Sequence, residues 1–159
     1  MRRKSQRRSF GHVAQRGNAI VEFALVLPLL VVLVLGVADF GRVFYYAVMT
    51  ANAARAGAQY ALRNNYTNVM GIQNACIQDT GLPSAQFNSA NVTEASCFLR
   101  CPGSATEMTC TVVNLNSCGA EQAYIYSRVR TQFTFNTLVS YPGVPNSTVL
   151  HGLAIMRVR

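Results

Sequence analysis

A chain of 159 residues, half of them apolar, has room for one modest domain plus a single membrane segment. Its formal net charge of +8 points at first to nucleic acid, yet six of its fourteen Lys and Arg residues (Arg2, Arg3, Lys4, Arg7, Arg8 and Arg16) crowd the first sixteen positions with no acid among them. Beyond the apolar run that follows, the balance is close to neutral and no basic stripe interleaves with aromatics, which argues against a nucleic-acid partner.

The basic leader, residues 1–17, sets orientation by the positive-inside rule and holds the amino terminus in the cytoplasm. It ends in Gly17-Asn18-Ala19-Ile20-Val21-Glu22-Phe23. A glycine followed five residues later by a lone glutamate, at the mouth of a hydrophobic helix, is the pattern of a prepilin-type cleavage site. The expected cut falls after Gly17 and leaves Asn18 as the mature amino terminus. Glycine suits the cut because a residue without a β-carbon lies close against a protease. Glu22 then stays in the membrane, where a carboxylate costs about 2–3 kcal/mol near the centre and less near the boundary. The new α-ammonium of Asn18 on a neighbouring subunit is its expected partner, an attraction strengthened by low dielectric and able to fix register. The plainer alternative is that Glu22 reaches back to water.

Residues 18–41 read as a transmembrane helix. Phe23 to Ala38 carries no charge, and the span from Ala19 covers twenty residues, which at about 1.5 Å each matches a hydrocarbon core of about 30 Å. Pro28 removes a backbone hydrogen bond to Ala24 and is expected to kink or loosen the first turns. Asp39 closes the run, Arg42 stands three positions on, and Phe40, Phe44, Tyr45 and Tyr46 have the character of an interfacial aromatic belt. A competing reading is a secretory signal cleaved at Gly36-Val37-Ala38, which would leave Asp39 as the first residue. Against it, the apolar run is long for a signal core and the helical pattern continues through Asp39.

That pattern persists through residues 42–64. Ala47, Ala51, Ala54, Ala58 and Ala61 alternate spacings of four and three and form a stripe, with Ala53 and Gly57 beside it. The stripe serves either as a contact for both the chain's own head and neighbouring subunits, or simply as an internal core face. Asn64-Asn65 is expected to stop the helix in left-handed conformation, so the spine from Asn18 to Arg63 would reach about 70 Å.

Residues 65–159 read as a small α+β head. Asn68 caps an expected helix through Thr80, with Val69, Ile72, Ala75 and Cys76 inward and Gly81-Leu82-Pro83 ending it. Val92–Arg100 and Met108–Leu115 are expected strands around a turn at Pro102-Gly103. The clearest strand runs from Ala123 to about Leu138, with Ile125, Val129, Phe133 and Phe135 on one face and Tyr124, Tyr126, Arg128, Arg130 and Gln132 on the other. Tyr141 to Asn146 is an expected loop, and Thr148 to Val158 a last strand.

Cys76, Cys97, Cys101, Cys110 and Cys118 all follow the membrane segment, on the oxidising side, so disulfides are expected. Two bridges and one free thiol allow fifteen arrangements, and the sequence does not choose. Cys97 and Cys101 lack the paired close spacings of a zinc site, and no Cys-x-x-Cys suggests redox chemistry. No metal or cofactor is expected. Asn65, Asn91 and Asn146 begin Asn-x-Ser/Thr tripeptides, relevant only in a eukaryotic secretory path. His12 lies in the leader and His151 alone on a strand, while Asp79, Glu94, Glu107 and Glu121 are scattered among expected polar loops. The chain does not read as an enzyme.

The stretch from Arg16 to Leu30, with Glu22, Phe23 and Pro28, resembles the opening of the TadE-like pseudopilins of the tight-adherence pilus system. Gly36, Asp39-Phe40-Gly41-Arg42 and Arg55 extend the likeness, and Ala154-Ile155-Met156-Arg157 looks like the family's last strand. The resemblance implies a bitopic minor pilin with a pilin-like fold, set in the inner membrane with its head outside the cytoplasm. It implies a prepilin peptidase as processing partner, other pilins and the inner-membrane platform as assembly partners, and a role in Flp-type adhesive pili. Asn18 departs from the bulky residue common at the first mature position of ordinary type IV pilins. A membrane-tethered binding domain, whose anchor is only an anchor, is the alternative from another class.

Overall fold

The computed structural model describes residues 14–110, 118–119, 121–140 and 143–158, with side chains from Ala19 onward except that of Asn64. Most of the leader with His12, the expected strand segment 111–115 and the loop positions 141–142 lie outside the described residues. The chain divides into two units, residues 1–40 and residues 41–159.

Helix α1, Ala14–Tyr60, is the only described element of the first unit and continues into the second. It passes through Pro28 as one helix, so the lost hydrogen bond at that residue is absorbed without ending the element. In the second unit, α1 does not stop at a left-handed asparagine. It widens into a π turn, Ala61–Asn65, followed by Tyr66 in right-handed helical conformation. Helix α2, Val69–Thr80, follows. The Asn68 side chain caps it by accepting from the Gly71 N–H at 3.0 Å, and Gly81 closes it at φ 61°, the left-handed conformation glycine adopts at little cost. Ile72 and Cys76 face the core as expected, but Val69 is exposed, because the cap sets the first turn outside the contact.

Four strands follow: β1 Val92–Arg100, β2 Glu107–Thr109, β3 Tyr124–Asn136 and β4 Ser147–Arg157. They form one antiparallel sheet in the order β2-β1-β3-β4. The molecule is therefore α+β, a long amino-terminal helix followed by a small antiparallel sheet. The acids expected in loops belong instead to regular structure: Asp79 to α2, Glu94 to β1 and Glu107 to β2, while Glu121 forms an isolated bridge with Cys118. Asp79 and Glu94 thus lie within the helix and strand expected there, and Glu107 begins a strand one residue before the expected one.

The core of the second unit lies between α1 and the sheet. Ala53, Ala54, Ala58 and Ala61 are fully buried against Ile72, Cys76, Phe87, Val92, Val129 and Ala154. This part of the alanine stripe is thus an internal face of the chain's own head. A β-carbon at Gly57 would strike the Cys76 thiol and the Ile72 side chain, so the close approach of α2 requires glycine there. A second cluster, Leu99, Ala123 and Ile125, fills the sheet beneath β2.

Candidate membrane anchor and the head it carries

The apolar helix is described from Ala19. Ile20, Val21, Phe23, Leu25, Leu29, Val34 and Val37 are all exposed, a continuous apolar surface that water disfavours. Among the described residues this is the one helix long and apolar enough to cross a membrane. Glu22 is exposed on it, and Pro28 lies within it. Gly17 and Asn18 are helical in backbone, with Asn18 four residues, about one turn, from Glu22. Together these residues form an apolar helix that could serve as an anchor, with a single acid near its amino-terminal end.

Where α1 enters the head, it is laid onto β3 by a regular set of contacts. The Thr131 hydroxyl donates to the Thr50 carbonyl at 2.7 Å, in a fully buried position. Tyr46 stacks on Phe133 at 4.7 Å between ring centroids, and the Arg42 guanidinium lies 5.1 Å from the centre of the Phe135 ring. The inward face of β3 therefore includes two polar residues, Ser127 and Thr131, that the sequence reading left out. Strict alternation from Ile125 to Phe135 was the signal that could have found them. On β4, Gly152 sits so close to the Thr50 carbonyl that a β-carbon would collide with backbone. Helix and sheet meet there main chain to main chain.

The outer face of the sheet is charged at one end. Glu107 on β2 accepts hydrogen bonds from Arg100 of β1, at 3.0 Å, and from Arg128 of β3. Glu94 pairs with Arg130 at 2.9 Å and accepts from the Ser96 hydroxyl at 2.7 Å. Arg128, hydrogen-bonded to Glu107, holds that carboxyl below the usual glutamate range, and Arg100 adds to the effect. Phe98, on the same outer face, is nonetheless buried because Arg128 and Arg100 lie over its ring at 4.5 and 5.6 Å and Tyr126 stacks beside it at 5.2 Å. Arg157 covers Tyr124 at 3.6 Å in the same way. Sequence reasoning missed this network, since its members come from three strands.

Four of the five cysteines are paired, Cys97 with Cys110 and Cys101 with Cys118. Both bridges fasten the β1–β2 region, where the core is small. Cys76 is free and buried, and burial pushes its thiol up to about 11. Among the described residues, no three His, Cys, Asp or Glu side chains gather as a metal site would require.

Comparison with known proteins agrees with the anchor and is silent on the head. No curated protein and no solved structure matches the chain. Residues 17–59 match the family model described as TadE-like protein, a stretch that opens on Gly17, includes Glu22, Phe23 and Pro28, and ends one residue before α1 does. Over residues 17–59, its apolar helix and spine, the chain is thus similar to the TadE-like proteins.

Proposed function

We propose that the protein is a bitopic minor pilin of the tight-adherence system, anchored by α1 and carrying its head outside the cytoplasm. The observation that carries this reading is the family match over residues 17–59 coinciding with the exposed apolar helix. Two disulfides in the head favour an oxidising compartment for it, and the arginine-rich leader favours a cytoplasmic amino terminus. The role is structural, an element of pilus assembly. Its partners in this reading are the lipid bilayer, a prepilin peptidase, other pilins and the inner-membrane platform.

Processing after Gly17 would set Glu22 just over one turn from a new α-ammonium on Asn18. There the positive end of the helix dipole also favours a carboxylate. In an assembly, that ammonium on one subunit and Glu22 on the next would neutralise each other in the membrane and set the axial offset between spines. Mass spectrometry of the protein recovered from membranes tests the processing step directly: Asn18 is the expected first residue. Gly17→Leu should leave a precursor about seventeen residues longer on an immunoblot, and unchanged mobility would refute processing at that bond. Glu22→Ala should preserve membrane insertion and reduce surface pili. Normal piliation in that variant would remove the pairing role.

A further inference from the structure

From its amino end to its carboxyl end, β3 changes character. Arg128 and Arg130 stand in its first half, and with Arg100, Glu107 and Arg157 they gather the sheet's charge at one end. From Thr131 to Met156 there is no Asp, Glu, Lys or Arg at all. Yet at the β3–β4 hairpin tip Leu138, Val139 and Val144 are 58 %, 39 % and 53 % exposed. The tip keeps ordinary turn residues, Ser140, Pro142, Gly143, Pro145 and Asn146, but carries no charge and exposes three aliphatic side chains.

The contacts between β3 and α1 give the tip its level. Thr131 meets Thr50, Phe133 meets Tyr46, and Phe135 meets Arg42. Each pair is two strand residues and four helix residues from the last, steps of about 6.6 Å and about 6.0 Å that nearly coincide. β3 thus runs antiparallel to the spine in matched paces and ends one residue beyond Phe135, so the turn that follows it lies at the Arg42 end of the sheet. That is the end of the head where the helix shows Phe44 and Tyr45 to solvent, residue types that favour the membrane–water boundary. The base of the tip is closed by Thr137, whose N–H and hydroxyl both donate to the Asn146 carbonyl at 3.0 and 3.3 Å. Pro145 has no N–H to desolvate.

We propose that this hairpin tip, through Leu138, Val139 and Val144, rests in the outer boundary of the bilayer beside the emerging spine. It would act as a second, shallow contact with lipid that fixes the rotation and tilt of the head. The inference rests on the membrane-anchor reading above and extends it. The depth is interfacial, because a turn's free peptide groups are not tolerated in the hydrocarbon core, and burial of about 5–10 Å suits a few aliphatic side chains. The apolar run ending at Ala38 lies only four positions before Arg42 in the chain, which supplies continuity in sequence.

The chain contains no tryptophan, so single substitutions report position without background. Leu138→Trp and, separately, Val144→Trp would be made in the full-length protein and reconstituted into phosphatidylcholine vesicles with or without brominated acyl chains. Leu29→Trp reports the span. Met70→Trp, exposed on α2 next to Gly71, which packs against Tyr60 about 27 Å along the spine from Arg42, reports the far end. Both tip probes are expected to lose about half their emission to brominated lipid, Leu29→Trp to lose more, and Met70→Trp to be unaffected. If Leu29→Trp is quenched and neither tip probe is, the tip contact is refuted while the anchor stands. A blue-shifted tip probe without lipid quenching would mean that protein covers it, and would equally overturn the proposal. Absence of quenching at every site would overturn the anchor and the tip together.

Discussion

Substituting Gly152 tests whether α1 and the sheet are held main chain to main chain. In Gly152→Ala the added carbon meets the Thr50 carbonyl oxygen and carbon and the Thr131 hydroxyl oxygen. Carbon–oxygen contacts settle near 3.3 Å or beyond, and backbone cannot swing aside as a side chain can. The helix must therefore withdraw by about 1 Å. That alone lengthens the 2.7 Å Thr131–Thr50 hydrogen bond past useful range, a loss of about 1 kcal/mol. A gap of that size also forfeits a quarter to a half of the dispersion energy along Ala53, Ala54 and the Tyr46–Phe133 stack. With an overpacking cost of about 1–3 kcal/mol, the total is about 2–4 kcal/mol. For a unit of about a hundred residues, each kcal/mol lowers the melting temperature by about 4 °C, so the variant should melt about 8–16 °C below its parent in detergent. Gly41→Ala is the control. Nothing lies within 4 Å of its added carbon, and its helix propensity improves by up to about 1 kcal/mol. A Gly152→Ala protein melting within about 2 °C of the parent would refute the close-contact account.

Thiol counting checks the cysteine assignment. The oxidised protein should take up essentially no iodoacetamide when folded, one label when unfolded without reductant, and five when unfolded and reduced. The first result follows because Cys76 is buried with a thiol pushed up to about 11, leaving little thiolate at neutral pH. Three labels before reduction would mean that one of the two bridges is absent. Acid should weaken the β1–β2 region through Glu107. Its folded value lies below its unfolded one, so the contribution is complete above the ordinary glutamate range and is lost as pH falls through the lowered value. Glu107→Gln should flatten that part of the pH–melting curve, and an unchanged curve would show that the bridge to Arg128 contributes nothing.

The parts of this fold legible in the sequence are those whose determinants are local. The Asn68 cap, the Gly81 stop and the alternation of β3 each depend on neighbours within a few positions, and each appears at its expected place. The end of α1 was misread because Asn64-Asn65 looks like a left-handed stop, whereas the packing of Ala61 into the core keeps the turn right-handed and widens it. Phe98 defies the rule of apolar-inside alternation, since its cover is a pair of arginines from two strands. The disulfide partners lie 13 and 17 positions apart and are set by how β1 and β2 fold back on one another, which spacing alone does not encode. In the anchor, Glu22 and Pro28 were legible as features of a membrane helix. The partner proposed for Glu22 would belong to another copy, which the sequence of one chain does not specify.

The close approach of Gly152 to Thr50 also constrains biogenesis. The spine is translated early, yet the strand that seals its alanine face comes roughly a hundred residues later. Until β4 is made, Ala53, Ala54 and Ala58 have only the earlier partners Ile72, Cys76, Phe87, Val92 and Val129 to pack against. Head closure is then completed late, when β4 brings Ala154 into that core and Gly152 against Thr50.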